Sequence, residues 1–469
     1  MTHGVFETFL STSSMSAVFG EASLLQAMLD FEAALARAQA DEGLIPAAAA
    51  DAIASAAQVS RLDTHAVVAA SARAGSVAIP LVQALTEAVA RDDAAAAGFV
   101  HWGSTSQDVV DSGVALATRR ALALIDHDLA RLVRALLALA DAHADAPMLA
   151  RTLMQPAQVS CFGYKLAQWT APLLRCRSRL HASGRAALKL QLGGAAGTLS
   201  AMGEHGDAVA RRMAASLGLA PAPMAWHTQR DETVALGAEV GVLVGALGKI
   251  ALDVALLAQG EVAELSEPSG AGRGGSSAMP HKRNPVGAMV ALAAAQRAPQ
   301  RVAALLAAMP QQHERGLGNW QAELAEWVGL FLSAHGAVCA LADAAEGLQV
   351  DARRMRDNID AQLGLVCAEA AGTVLARALG KAGAHALMEA LSRDALARRR
   401  PLADVVRDAV QRDAALRAQV DLIALDVAFD IERATDPARR IAHARLAALR
   451  AQAAALDAAA PWAAHLPKE

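Results

Sequence analysis

The stretch VALATRRALALIDHDLARLVRALLALADAHADA, residues 114–146, contains neither glycine nor proline, and its reading decides the fold. Alanine, leucine and arginine are strong helix formers. A helix over the whole stretch runs about 50 Å at roughly 1.5 Å per residue. Working outward, further long helices are predicted around Ala157–Gly184, Thr233–Glu264, Val286–Met309 and Glu323–Ala345. Helices this long pack side by side, so the expected fold is all-α with a central long-helix bundle. Upstream, Ser23–Glu42 places Leu24, Met28, Phe31 and Leu35 on one face, and Gly43 and Pro46 close it. A second helical stretch runs through Ala47–Ala72, and Pro80 is a helix-start candidate within 75–85. His101–Ser112 (HWGSTSQDVVDS) reads as a polar junction ahead of the long helix. After Gly364 a new helical segment begins, broken by Arg393–Arg400 and Pro401. The expected division is an N-terminal helical part (1–111), the central bundle (112–363) and a C-terminal helical part (364–469).

The composition narrows the function classes. Of the 469 residues, 54% are hydrophobic but only 3% aromatic, and the apolar content is mostly Ala, Leu and Val, suited to close helix packing. Formal net charge is −4, without the basic runs that nucleic acid requires. The four cysteines (Cys161, Cys176, Cys339, Cys367) form no CxxC pair. That pattern fits a reducing cytoplasm and argues against zinc or a disulfide frame. No secretory leader is evident in MTHGVFETF. Thr233–Gln259 is apolar enough to cross a membrane, but Glu239, Lys249 and Asp253 interrupt it, and a helix apolar nearly all round is otherwise buried in a core. Gly237, Gly241 and Gly245 recur every four residues and predict a ridge for close helix approach. Too few polar positions remain for a lone surface bundle, so bundles from several copies are expected to pack together.

Four segments, together with an arginine downstream of QLGGAAGT, carry candidate chemistry. Gly274–Pro285 (GGSSAMPHKRNP) is a glycine-rich, cationic loop between two apolar helices. Its hydroxyls (Ser276, Ser277), imidazole (His281) and cations (Lys282, Arg283) suit a small polyanion and the movement of one of its protons. His101–Asp108 offers an imidazole, three hydroxyls (Ser104, Thr105, Ser106) and an amide near a helix start, where carboxylates bind readily; simple capping explains the same residues. In RTLMQPAQ, Arg151 and Gln155 could meet a carboxylate, although a helix-start turn around Pro156 is the plainer reading. QLGGAAGT, ending at Thr198, lets a ligand approach the backbone or is merely a turn. Arg230, in WHTQRD, is an anion partner or a member of a surface ion pair.

GSSAMPHKRNP (residues 275–285), preceded in order by GSTSQD and GGAAGT, resembles the signature of the fumarase/aspartase superfamily, whose members include fumarase, aspartase, argininosuccinate lyase and adenylosuccinate lyase. The resemblance covers most of the chain. It implies an all-α subunit of three domains, a homotetramer with a twenty-helix core, and active sites each shared among three subunits. It further implies Ser276 as the catalytic base acting alpha to a carboxylate. Ser104, Thr105, Ser106, Gln155, Lys282 and Asn284 become substrate contacts; His101, Arg151, Thr198, Arg230, Ser277 and His281 become supporting residues. Neither a metal nor a cofactor is implied.

One departure discriminates among reactions. Lyases of the adenylosuccinate type carry His in THGQPA, whereas this chain reads TLMQPA, with Leu153 at that position. An amine or hydroxide leaving group needs protonation. A carboxylate does not, because its acid has a pKa near about 4. One branch of the superfamily adds a substrate carboxylate to an internal alkene and closes a lactone. Met28–Pro46, Ala78–Leu85, HWGSTSQDVVDSG, RTLMQPA, QLGGAAGTL, WHTQRD and Gly364–Ala370 resemble that branch, and a small tricarboxylate is the implied substrate. Ser76, where the branch commonly has Asn, and DPARRIAHA depart from it. A fumarate-releasing lyase that tolerates Leu153 stays open, as does an inactive member with a structural role.

Overall fold

The computed structural model describes residues 5–466 apart from 271, 273, 276 and 277. Helix α1 (Glu21–Asp41) buries Met28, Phe31 and Leu35 and packs against α2 (Ser106–His143), the longest described helix at 38 residues. That length corresponds to about 57 Å. The helix begins eight residues earlier than the Gly/Pro-free stretch. Thr105 is its N-cap, and the Asp108 carboxylate accepts the Thr105 backbone N–H at 3.1 Å. Gly113 is therefore not a boundary but an interior position. A Cβ there would sit 2.8 Å from Met28 Cγ, so the glycine lets α1 and α2 approach.

The chain then forms a hairpin, β1 (Pro147–Thr152) and β2 (Gln155–Cys161), before α3 (Phe162–Ala187). Here the expected helix start around Pro156 and the expected helix from Ala157 are corrected. Leu153 and Met154 occupy the turn with φ of 50° and 67°, and the strands pair across a two-residue tip of left-handed geometry. The continuous helix expected over Ala47–Ala72 is also corrected: it is divided into Ala47–Ala56 and Thr64–Ala74, the latter capped by Asp63 accepting from Ala66 N at 3.0 Å.

Three long helices complete the bundle: α4 (Asp231–Leu257), α5 (Val286–Ala308) and α6 (Asn319–Glu346). Packing of α4 on α5 is antiparallel and glycine-dependent. Cβ atoms at Gly237, Gly241 and Gly248 would come within 2.7, 2.6 and 2.5 Å of Leu305, Val302 and Ala295. The predicted ridge is real with one change. Gly245 faces open space, and Gly248 takes its place because the contact face follows the helix period rather than a strict four-residue step.

One large core joins the bundle, the N-terminal helices and the last helix, α7 (Ile431–Ala458). Trp462, just beyond α7, fills the space over Gly184 of α3 and meets His181 edge-on at 5.3 Å. Arg177 binds Asp126 of α2 at 2.7 Å and Asp457 of α7 at 2.5 Å. A separate, smaller core gathers Ala371, Leu375, Leu402, Val406 and Leu425. All four cysteines are free. Burial pushes the Cys339 thiol up to about 11, and also raises Cys161, Cys176 and Cys367.

Among the described residues two unbroken helices, α4 and α6, are long and apolar enough to cross a membrane by length and composition alone. In α6 the apolar window is 72% buried within this chain, but in α4 only 50% is. The outward face of α4 and α5 exposes Val242, Leu252, Met289 and Leu306, each about half accessible.

Candidate active site

The N-terminal ends of α2, α4 and α6 lie together and are organised by buried carboxylates. Asp108 is wholly buried one turn into α2. Its Oδ1 accepts from His227 Nε2 at 2.7 Å and Gly193 N at 3.0 Å. Its Oδ2 accepts from Gly194 N at 2.9 Å, Thr105 N at 3.1 Å and the Ser104 hydroxyl at 3.5 Å. One side chain thus joins GSTSQD, QLGGAAGT and WHTQRD. The loop glycines permit this: a Cβ on Gly194 (φ 68°) would stand 2.8 Å from the Gly103 carbonyl, and one on Gly193 2.6 Å from Ala225. A buried carboxylate is tolerated only with such a set of donors.

One turn further along α2, Asp111 accepts from Arg230 at 2.9 and 3.3 Å, from Trp320 Nε1 at 2.9 Å and from Gln107 at 3.2 Å. The Glu323 carboxylate takes the other edge of Arg230, with Nε donating to Oε2 at 3.1 Å. Arg230 is not at the surface, as the ion-pair reading supposed, but fully buried. Burial opposes its charge, and the two carboxylates outweigh that and hold it protonated. His101 adopts φ 61° and donates Nδ1 to Glu32 Oε1 at 2.7 Å. Burial works against its proton, but the Glu32 carboxylate and then Asp108 prevail, so its pKa is raised. Ser104, Thr105 and Ser106 are half-buried around the helix start, and Thr198 is exposed on the adjoining loop, which Leu199 N closes onto Gly193 O at 3.0 Å. The capping reading therefore holds for Thr105.

The remaining candidates lie at the opposite end. Arg151, on β1, makes a two-pronged pair with the buried Glu264 at 2.6 and 3.1 Å, and Asn358 donates to the same carboxylate at 2.8 Å. Its guanidinium tethers the hairpin to the segment leading into the glycine-rich loop. Gln155 is exposed beside the turn, and Leu153 at the tip is 97% accessible. The loop is pinned at its base: Asn284 N donates to Gly274 O at 2.8 Å, and the Glu267 carboxylate accepts from Gly287 N and Ala288 N, both at 2.8 Å. This anchors the N-terminus of α5, where a carboxylate is favoured by the helix dipole. His281 and Lys282 are exposed and Asn284 is half-buried. Ser276 and Ser277 lie outside the described residues.

Within one chain the candidates thus form two groups. His101, Ser104, Thr105, Ser106, Thr198 and Arg230 are at the start of α4; Arg151, Gln155, Lys282 and Asn284 are beyond its end. The 27 residues of α4 separate them by about 40 Å.

The organising carboxylates Glu32, Asp108, Asp111, Glu264, Glu267 and Glu323 were not picked out as functional from the sequence. Two carried signals. Glu32 stands four residues after Met28 on the apolar face of α1, and Asp108 stands three after Thr105, at capping-box spacing. The others carry no local pattern.

Residues 8–299 match a lyase family. The chain is 50% identical over 398 residues to a 3-carboxy-cis,cis-muconate cycloisomerase of Bradyrhizobium diazoefficiens, covering 85% of this chain and 88% of the relative. It is 46% identical over 441 residues to the enzyme of that name in Pseudomonas aeruginosa, covering 94% of each. The crystal structure of a 3-carboxy-cis,cis-muconate lactonizing enzyme from Pseudomonas putida superposes with a TM-score of 0.89 at 41% identity, over 96% of this chain and all of that one.

Proposed function

The chain belongs to the lyase family that includes fumarase and aspartase, and from that premise we propose that it closes 3-carboxy-cis,cis-muconate to 4-carboxymuconolactone. The observation that carries this reading is the match, along nearly the whole chain, to relatives that bear this activity in their names. Leu153 supports it independently: the tip of the hairpin presents hydrocarbon where a protonating histidine would serve other leaving groups.

One substrate carboxylate attacks the alkene carbon, forming the C–O bond of the lactone. The displaced π electrons move to the neighbouring carbon and its carboxylate. Ring closure within one molecule has a high effective molarity, so the protein's main task is to hold the reactive conformer. Lys282, Asn284 and loop N–H groups stabilise the developing negative charge. The Ser276 hydroxyl delivers the proton to carbon and regains one from solvent when product leaves.

The separation of the two groups supports a site completed by other copies. A homotetramer in which three subunits contribute brings the start of α4 from one chain to the hairpin and loop of others. Val242, Leu252, Met289 and Leu306 supply an apolar face for it, each contributing about 1 kcal/mol on full burial. The four free thiols, three of them buried, suit a cytoplasmic setting.

The test is loss of the conjugated-diene absorbance of 3-carboxymuconate on addition of purified protein, without release of fumarate from adenylosuccinate or argininosuccinate. Ser276→Ala lowers turnover by about 10²–10⁴-fold while the tetramer persists by light scattering. An undiminished rate in that variant removes the serine from the mechanism.

A further inference from the structure

Away from both groups, a cleft of about 520 Å³ opens between the segment Ser14–Ser23, the middle of α2 and the chain at Ala464–Leu466. It lies roughly 20 Å along α2 from Ser106. Its polar lining is Ser14, Ser23, Asp30, Arg119, Arg120 and His465.

The charges in this cleft are poorly matched. Arg119 donates Nη1 to the carbonyls of Leu217 and Gly218, at 2.8 and 2.7 Å, where the helix Gly206–Leu217 ends. Its Nε is buried without a hydrogen-bond partner. Arg120 reaches the Ser23 carbonyl at 3.5 Å. Among the described residues neither arginine is ion-paired, whereas the partly or fully buried Arg131, Arg151, Arg177 and Arg230 each bind a carboxylate. Asp30 is the acid that faces Arg120, and its carboxylate also accepts from Gln26 at 2.8 Å. Burial lowers the pKa of both arginines, and burial and then the two guanidinium groups lower that of His465. The one lining acid, Asp30, faces two partly buried guanidinium groups without forming an ion pair with either, and an excess of partly buried positive charge is costly, so the cleft favours an anion.

We infer that this cleft binds a small oxyanion, a carboxylate or a phosphate, with Arg120 as the principal cation and the Ser14 and Ser23 hydroxyls and the His465 imidazole as further donors. Two adjacent cations with hydroxyls in reach suit the several acceptor oxygens of either group. The site is distinct from the lactone-forming groups, and the inference stands whether or not the proposed reaction does.

Isothermal titration of the full-length protein at fixed ionic strength, with inorganic phosphate and separately with tricarballylate, tests it. Each probe that binds the cleft shows a saturable site that weakens by at least about tenfold in Arg120→Gln, while turnover and any binding of tricarballylate at the lactone-forming groups are unchanged. His465→Gln weakens the same site less and serves if the arginine variant does not fold. Titration by phosphate alone identifies a phosphate site, by tricarballylate alone a carboxylate site, and by both a general oxyanion site. Equal binding by the wild type and the variants, or no saturable binding of either probe, overturns the inference.

Discussion

Asp108, Asp111 and Arg230, at one end of the bundle, and Lys282, Gln155 and Leu153, at the other, differ in how their needs are met. The first three are fully buried, and each is bound by several groups of the same chain. The second three are exposed, two of them polar and one pure hydrocarbon. The first region is a rigid frame whose geometry is settled before any ligand arrives. The second carries its exposed side chains on a hairpin tip and a glycine-rich loop, anchored at their bases by Glu264 and Glu267. Rigid supports hold the exposed groups in place, and the function proposed above has other chains complete the site around them.

The contrast can be broken by substitution. Arg230→Met leaves Asp111 and Glu323 as buried carboxylates without their cation, and urea unfolding at fixed protein concentration should show a loss of about 3–5 kcal/mol. Lys282→Met, on the exposed loop, should change stability by less than about 0.5 kcal/mol. Equal effects of the two substitutions would erase the distinction between frame and reactive surface.

A smaller, pH-dependent effect sharpens the frame side. His101 has a raised pKa in the folded chain, against an ordinary value of 6.5. Stability from its pairing with Glu32 is therefore fully present below about 6.5 and is lost as pH rises through the folded value. The stability difference between wild type and Glu32→Gln should be larger at pH 6 than at pH 9. A difference independent of pH would mean that Glu32 does not hold His101 in its protonated form.

Much of this architecture was legible in the sequence, for reasons that particular residues make plain. The long helices showed because Ala- and Leu-rich stretches without glycine or proline leave the backbone one good choice. The glycine-rich loop showed because so polar a segment between apolar helices is anomalous. The hairpin did not show. Its turn is Leu153–Met154, without the Asn-Gly signal that left-handed turns usually carry, and Pro156 imitates a helix start. The long helix was read from residue 114 because Gly113, just ahead of it, owes its place to a contact with Met28, a partner far away in sequence. The carboxylate frame was hidden for the same reason. Glu323 meets Arg230, and Glu264 meets Arg151, across more than ninety positions of chain, and no local pattern encodes such pairs.

The claim that one site draws on different chains is tested most directly by mixing two inactive variants. Ser276→Ala disables the loop end, and Ser106→Tyr blocks the start of α2. Each alone should leave 3-carboxymuconate unconsumed. Co-refolded in equal amounts, they should restore activity at roughly a quarter of the sites, because random assembly joins an intact loop from one chain to an intact helix start from another. A mixture as inactive as its components would contradict the account and place both groups of each site in a single chain.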